Sequence, residues 1–147
     1  SLSISHGGGS ISTFIAKYSN LGVIQWAKSG SGSSTDVVQS NDIAVAHHSG
    51  NLIITGNFRI STLDFGSSKT VSNSGGSDDI FVAQYDETGA IQWASTCTGS
   101  STEVPKSVAV DQKTGDIYIV GFLTAHLWTV AIVLRCQEVT REIRMAF

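Results

Sequence analysis

The sequence predicts an all-β protein made of antiparallel four-stranded repeats. Only 14% of its 147 residues are charged, and 15 glycines suit short strands joined by tight turns. Residues 81–94 alternate large and small side chains on either side of Asp-Glu-Thr-Gly, which is the pattern of a β-hairpin. A closely similar pattern stands 67 residues earlier, at 14–27, and its recurrence indicates stacked copies of one supersecondary unit.

This first kind of hairpin has the same local chemistry in both copies. Residues 14–18 alternate large apolar with small or polar side chains, which predicts a strand. Residues 19–22, Ser-Asn-Leu-Gly, predict a turn because Asn and Gly tolerate left-handed backbone angles. The return strand follows at 23–27, and in the second copy the turn is Asp-Glu-Thr-Gly at 86–89.

A second kind of hairpin follows each copy of the first. Its turns are predicted at His-His-Ser-Gly-Asn and at Gln-Lys-Thr-Gly, because Gly, Asn and Ser favour turns. Its strands are predicted at 43–46 and 52–58 in the first copy, and at 108–110 and 116–121 in the second.

Polar connections separate the hairpins. Residues 28–42 and 97–106 are rich in Ser, Gly and Thr and are predicted to be loops. Residues 59–79 are predicted to be a long connection that holds a short apolar piece at 62–66. Any binding surface is expected on the loops 28–42 and 97–106, because they would join successive repeats.

Each repeat therefore comprises two hairpins, or four strands in about 66 residues. The copies are 67 residues apart up to Ser40 and 65 apart from Ile43, which places a two-residue difference near 41–42, in a predicted loop. Four antiparallel strands are the content of a β-propeller blade, and such a sheet needs a neighbour on each face. We expect about two blades of an incomplete β-propeller, with a lead-in loop at 1–13 and propeller repeats at 14–122, arranged as a half blade at 14–28, a full blade at 43–95 and a half blade at 107–122.

The repeat pattern ends after Phe122, and residues 123–147 are a divergent C-terminal segment. A shift of the reading frame is one explanation, because moving Leu127-Trp128-Thr129 by two bases allows a Leu-Asp pair where the repeat expects one. A natural terminal segment is the alternative, and the source DNA decides between them. A closed propeller needs at least four blades, so the others are expected to be missing or to come from other copies.

One family is similar to these repeats. Residues 75–94, Gly-Gly-Ser-Asp-Asp-Ile-Phe-Val-Ala-Gln-Tyr-Asp-Glu-Thr-Gly-Ala-Ile-Gln-Trp-Ala, resemble the bacterial β-propeller repeat called SBBP. Residues 43–58, followed by Thr-Leu-Asp-Phe-Gly at 62–66, resemble it too, and the resemblance runs from about residue 7 to residue 122. It implies a secreted or cell-surface bacterial protein whose blades are extracellular scaffold or adhesion modules. It carries no catalytic residue to transfer.

Charge and cysteine content argue against several classes of function. The net charge is −3 and the pI about 5.7, with no basic stripe, so nucleic-acid binding is not expected. Cys97 and Cys136 make neither a disulfide framework nor a C-x-x-C site, and we expect two unpaired thiols. The longest apolar run, 127–134, is too short for a membrane span.

Three short motifs look like ligand sites but have simpler explanations. His6-Gly7-Gly8-Gly9 is similar to an esterase oxyanion loop, which needs a G-x-S-x-G elbow that the sequence lacks. His47-His48 are adjacent, so on a strand they would point to opposite faces and would rarely bind one metal ion. Gly30-Ser31-Gly32-Ser33-Ser34 lacks the Lys-Ser/Thr of a phosphate loop.

Acidic residues and tryptophans are two further candidates. Asp in a turn bonds nearby backbone N–H groups. Calcium binding is the alternative, although no EF-hand series is present. Trp26 and Trp93 are candidates for sugar-stacking platforms, but their matched register favours packing between sheets. Turns are predicted for Asp42, Asp78-Asp79, Asp86-Glu87 and Asp111.

The sequence thus predicts a non-catalytic structural or binding module without catalytic, cofactor-binding or metal-binding residues. The alternatives are a carbohydrate- or calcium-binding propeller, or part of a propeller hydrolase or lyase whose site lies elsewhere. The expected partners are other blades of the same parent chain, further copies of this chain, or an extracellular protein or glycan. Because both ends would expose uncovered sheet faces, we do not expect a well-behaved monomer.

Overall fold

A computed structural model describes residues 3–4, 11–30, 37–73, 77–99, 101–124 and 135–136. Within these ranges every regular element is a strand, which confirms the predicted all-β class. The strands are β1 (Phe14–Tyr18), β2 (Ile24–Ser29), β3 (Val38–Ala46), β4 (Asn51–Phe58), β5 (Thr62–Asp64), β6 (Thr70–Ser72), β7 (Asp79–Tyr85), β8 (Ile91–Thr98), β9 (Glu103–Val110), β10 (Ile117–Leu123) and β11 (Arg135–Cys136).

Four strands form an antiparallel meander in the order β8-β7-β4-β3, which we call the central sheet. The short strand β11 pairs with the outer edge of β8. Three hairpins stand as separate two-stranded sheets: β1–β2, β5–β6 and β9–β10. All four predicted hairpins are therefore present, and all of their strands pair antiparallel as expected.

The central sheet is covered on both faces, because successive residues of a strand point to opposite sides. Ile54 and Phe81 point into a first core that also contains Ile15 of β1, and the β5–β6 hairpin adds buried side chains to it. Ile53 and Val82 point into a second core that contains Val108 of β9. The β1–β2 and β9–β10 hairpins thus lie on opposite faces of the central sheet, and we call these two contacts the first joint and the second joint.

Hairpin turns in the two copies match in backbone conformation. Gly22 closes β1–β2 with φ +75° and Gly89 closes β7–β8 with φ +82°. This is the left-handed region, in which a side chain is strained. The predicted use of Gly at these turns is therefore confirmed.

Two predicted loops are shorter than expected. In 28–42, β2 continues to Ser29 and β3 already begins at Val38; in 97–106, β8 continues to Thr98 and β9 begins at Glu103. The reason is that both strands of each hairpin stay paired beyond the apolar residues that mark them in the sequence, so that Val38 still faces Phe58. These paired strand ends are polar in sequence, and for that reason they were predicted to be loops.

The predicted connection 59–79 is also corrected, because it contains the β5–β6 hairpin. Leu63 and Val71 of this hairpin are buried in the first core. Its turn has positive φ at Gly66, Ser67 and Ser68, which lets three-residue strands return on themselves. The apolar piece predicted at 62–66 comprises the first strand of this hairpin, Thr62–Asp64, and the start of its turn.

The position of the two-residue difference between the copies is corrected as well. β3 and β9 pair with β4 and β10 in one common register, so that Val38 faces Phe58 as Glu103 faces Leu123. That register keeps an offset of 65 residues through positions 41–42. The extra residues of the first copy therefore precede Val38, and Asp42 is the counterpart of Ser107.

The described strands form open sheets, and no closed ring is present among them, so the propeller arrangement stays a prediction. Of the predicted lead-in loop 1–13 only residues 3–4 and 11–13 are described, and of 123–147 only 123–124 and 135–136. The proposed frame shift thus lies outside the described residues. The described part of the chain has no helix with the length and hydropathy needed to cross a bilayer.

Candidate functional site: two joints between stacked sheets

The first joint is anchored by Trp26 of β2 on the β7–β8 turn. The indole N–H of Trp26 donates to the backbone carbonyl of Glu87 at 3.0 Å, and Lys17 Nζ donates to the same oxygen at 3.0 Å. The Trp26 ring lies directly on Gly89, since a Cβ there would be 2.7 Å from the ring atom Cδ2. Because Gly89 has no side chain, the indole of Trp26 can lie directly on its backbone, and we call this position the seat of Trp26.

Trp93 occupies the same place in the second copy and faces the second core. Its indole N–H donates to the side-chain oxygen of Gln84. Both tryptophans are only partly exposed, and each packs against the apolar core of one joint. This geometry agrees with the predicted packing between sheets rather than with exposed sugar platforms.

The second joint is linked by polar side chains of β3. The carboxylate of Asp42 accepts from Ser107 Oγ at 2.7 Å and from Val108 N–H at 2.8 Å. The Ser107 hydroxyl, followed by the Val108 amide, holds the pKa of Asp42 below its usual value of 3.8. Next to it, Asn41 Nδ2 donates to the carbonyl of Pro105 at 2.8 Å.

A second link joins the turn regions of the two adjacent hairpins. Gln112 Nε2 donates to the carbonyl of Val45 at 3.0 Å, and the backbone N–H of His47 donates to Gln112 Oε1 at 2.7 Å. Gln112 is the counterpart of His47, so this link joins equivalent turns of the two copies, the β3–β4 turn and the β9–β10 turn. His47 and His48 lie exposed in this turn, as expected for a solvated turn edge.

A buried carboxylate pair, Asp79 and Glu103, lies where β7 and β9 begin, and only Asp79 was among the predicted candidates. Asp79 is 2% exposed and Glu103 is fully buried. Burial raises the pKa of Glu103 to about 7, and the contact with Asp79 adds to the rise. A lone Glu after a Ser/Thr run gives no sequence signal for burial. The described residues include no group of three or more His, Cys, Asp or Glu placed to hold a metal ion.

The other acidic candidates divide into turns and strands. Asp86 Oδ1 accepts from the N–H of Thr88 at 2.9 Å, and Asp111 Oδ1 accepts from Lys113 N–H at 2.8 Å, as predicted for turn residues. The prediction of turns is wrong for Asp42 and Asp79, which lie in β3 and β7. Their partners come from distant strands, and local sequence does not reveal such partners.

Cys97 is disulfide-bonded, which corrects the prediction of two unpaired thiols. The only other cysteine of the sequence is Cys136, and its backbone pairs with that of Cys97 between β11 and β8. The prediction failed because the pairing depends on a strand beyond the recognisable repeat.

Several clefts open beside the joints. One of about 320 Å³ lies against β10 and is lined mainly by apolar residues, including Ile80, Ile119 and Gly121. Another of about 460 Å³ lies between β2 and the β5–β6 turn, near Lys28 and Asp64. Neither of these two gathers the sequence-predicted candidates into one site.

Two of the candidate motifs, His6-Gly7-Gly8-Gly9 and most of Gly30–Ser34, lie outside the described residues. The described candidates are spread over both joints and several turns: Trp26 and Asp42 bond to a neighbouring sheet, whereas Asp86 bonds within its own turn. A scan of protein-family models, a search of curated proteins and a search of solved structures each returned no match for this chain. The resemblance to the SBBP repeat therefore remains a prediction.

Proposed function

We propose that this chain is a non-catalytic structural or binding module, about two blades of an incomplete β-propeller of the SBBP type, in a secreted or cell-surface bacterial protein. Its function is to connect successive β-sheets as a scaffold or adhesion unit. Its partners are further repeat units, and the ligand of the assembled surface is an extracellular protein or glycan.

One observation carries this proposal: the same positions hold successive sheets together in both copies. Ile15 and its counterpart Val82 face the next sheet, and so do Trp26 and its counterpart Trp93. A repeat unit that contacts the next unit through equivalent side chains in each copy is suited to nearest-neighbour stacking. An active site would instead need a convergent set of polar groups.

The disulfide at Cys97 supports the proposed location. Disulfide bonds persist in oxidising surroundings such as the periplasm or the cell exterior, and they are rare in the cytosol of most organisms.

Lengthening the chain by one unit tests the stacking role. Residues 1–107 followed by residues 43–147 form a chain with one additional 65-residue repeat in phase. Each added unit contributes its own stability and a further joint, so we expect a single unfolding transition at a higher melting temperature than that of the original chain. The control carries Phe81→Asp in the added unit, which places a charge at a fully buried position, and should lose the gain. An unchanged melting temperature, or separate transitions, would contradict the proposed function.

A further inference from the structure

Among the described residues, β1 and β10 each have one edge without a partner strand, whereas their counterparts in the repeat, β7 and β4, pair with each other along that edge. In the central sheet, β7 pairs along its whole length with residues 52–58 of β4. Among the described strands, β10, the counterpart of β4, pairs only with β9, and β1, the counterpart of β7, pairs only with β2. An unpaired edge exposes a row of backbone N–H and C=O groups that can pair with another chain.

These two edges cannot meet within one chain, because the hairpins that carry them lie on opposite faces of the central sheet. We propose that β10 of one copy pairs antiparallel with β1 of a second copy. This pairing completes a four-stranded sheet in the order β9-β10-β1-β2, which matches the order β3-β4-β7-β8 of the central sheet. The inference rests on the proposed stacking function and names its partner as a second copy of this chain.

The central sheet fixes the register of the new pair. There Ile54 faces Ala83, and Gly56 faces Phe81. In β10 the counterparts of Ile54 and Gly56 are Ile119 and Gly121, and in β1 the counterparts of Ala83 and Phe81 are Ala16 and Phe14. The same register therefore places Ile119 opposite the partner copy's Ala16, and Gly121 opposite its Phe14.

The side chains on these edges fit the pairing. Phe14 is 66% exposed and Tyr18 is 61% exposed, whereas their counterparts Phe81 and Tyr85 are buried in the first core. The ring of Phe81 lies on Gly56, where a Cβ would be 2.7 Å from it. Gly121 is the counterpart of Gly56, and the apolar cleft of about 320 Å³ opens beside it. That cleft is the space in which the ring of Phe14 from the second copy would lie.

The next layer fits as well. In the second joint Val108 packs in one core with Ile53 of β4. The counterpart of Val108 is Ile43, which is half exposed, and the counterpart of Ile53 is Tyr118, which is 59% exposed. When β1 of the second copy pairs with β10, that copy's Ile43 covers Tyr118 as Val108 covers Ile53. One arrangement therefore buries exposed apolar residues at both ends of the molecule.

Cross-linking tests the register. Chains carrying Ala16→Cys are mixed with differently tagged chains carrying Ile119→Cys and treated with a short thiol-specific cross-linker; Cys97 does not react because it is already disulfide-bonded. The expected product is a cross-linked heterodimer. The control replaces Ala16→Cys with Leu21→Cys, at an exposed turn position outside the proposed edge, and should give little product.

A second measurement tests the surface without disturbing the fold. Phe14→Asp alters an exposed side chain, so the circular dichroism spectrum should stay unchanged while the dissociation constant of the assembly, from sedimentation, rises at least tenfold. Leu21→Asp is the matched control and should leave association unchanged. Association without the 16–119 product, or association that Phe14→Asp leaves intact, overturns the pairing. A monomer at all concentrations also overturns it. If the lengthened chain is still stabilised, the stacking function stands and the open edge belongs to a following unit of the same chain.

Discussion

The seat of Trp26 on the β7–β8 turn allows the strength of the first joint to be measured with two glycines. Gly89→Ala and Gly22→Ala add the same methyl group at counterpart turns with nearly equal φ, +82° and +75°. The methyl group at Gly22 would meet nothing within 4 Å, whereas at Gly89 it would lie 2.7 Å from the Trp26 ring. The difference between the two substitutions therefore isolates the contact with the indole.

The expected magnitudes follow from these geometries. A left-handed residue with a Cβ costs about 1–2 kcal/mol of unfolding free energy, and this is the whole effect expected for Gly22→Ala. Gly89→Ala must also displace a packed ring, for about 1–3 kcal/mol more. The displacement stretches the bond from Trp26 to Glu87, which forms part of that cost. At about 3 °C per kcal/mol the excess corresponds to a melting temperature lower by about 3–9 °C.

Urea unfolding monitored by circular dichroism gives the free energies directly. In a Trp26→Leu background the excess cost of Gly89→Ala should vanish, because a shorter side chain leaves room for the methyl group. Equal costs for the two glycine substitutions in the original chain, or an excess that survives Trp26→Leu, would refute the proposed seat and the joint built on it.

Three further expectations follow from the charged and sulfur-containing groups. Because the pKa of Glu103 is raised to about 7 in the folded state, the contribution of this group to the unfolding free energy should be highest below pH 4.5 and should fall as the pH rises toward and through 7. Glu103→Gln should flatten that part of the pH profile. A calcium-dependent rise in melting temperature that Glu103→Gln abolishes would instead favour the calcium-binding alternative. Asp42→Ala should cost about 1 kcal/mol near pH 7 through its lost bonds to β9, whereas Asp116→Ala in an exposed turn should stay within about 0.5 kcal/mol, and equal effects would argue against the link. Thiol titration of the unfolded, unreduced chain should find no free thiol, with new thiols only after reduction, and a reactive thiol before reduction would contradict the disulfide.

Local patterns predicted the hairpins because the signals for a hairpin are local. Alternating side chains define each strand, and residues such as Gly89 define the turn within four positions. The repeat then indicated that the hairpins stack, since one sheet cannot cover both of its faces. The β5–β6 hairpin was missed because its strands have three residues each and depend on burial of Leu63 and Val71 in a core formed by other strands.

The polar parts of the joints could not be predicted in the same way. Asp42 has a typical turn composition around it, and only the approach of β9 turns its carboxylate into a link between sheets. Glu103 is one carboxylate in a polar run, and its burial depends on where Asp79 and the start of β7 lie. The disulfide at Cys97 depends on tertiary contact in the same sense.

The substitution of Ser107 for Asp42 between the copies gives the repeat array a polarity along its length. The carboxylate of Asp42 binds the β9 strand in its charged form, so acid weakens that attachment as the carboxylate gains a proton. The hydroxyl of Ser107 does not titrate in this range, so the counterpart position has no acid-sensitive bond of this kind to lose. Acidification would therefore weaken one polar link, that of Asp42 across the second joint, while the apolar core of that joint remains in place.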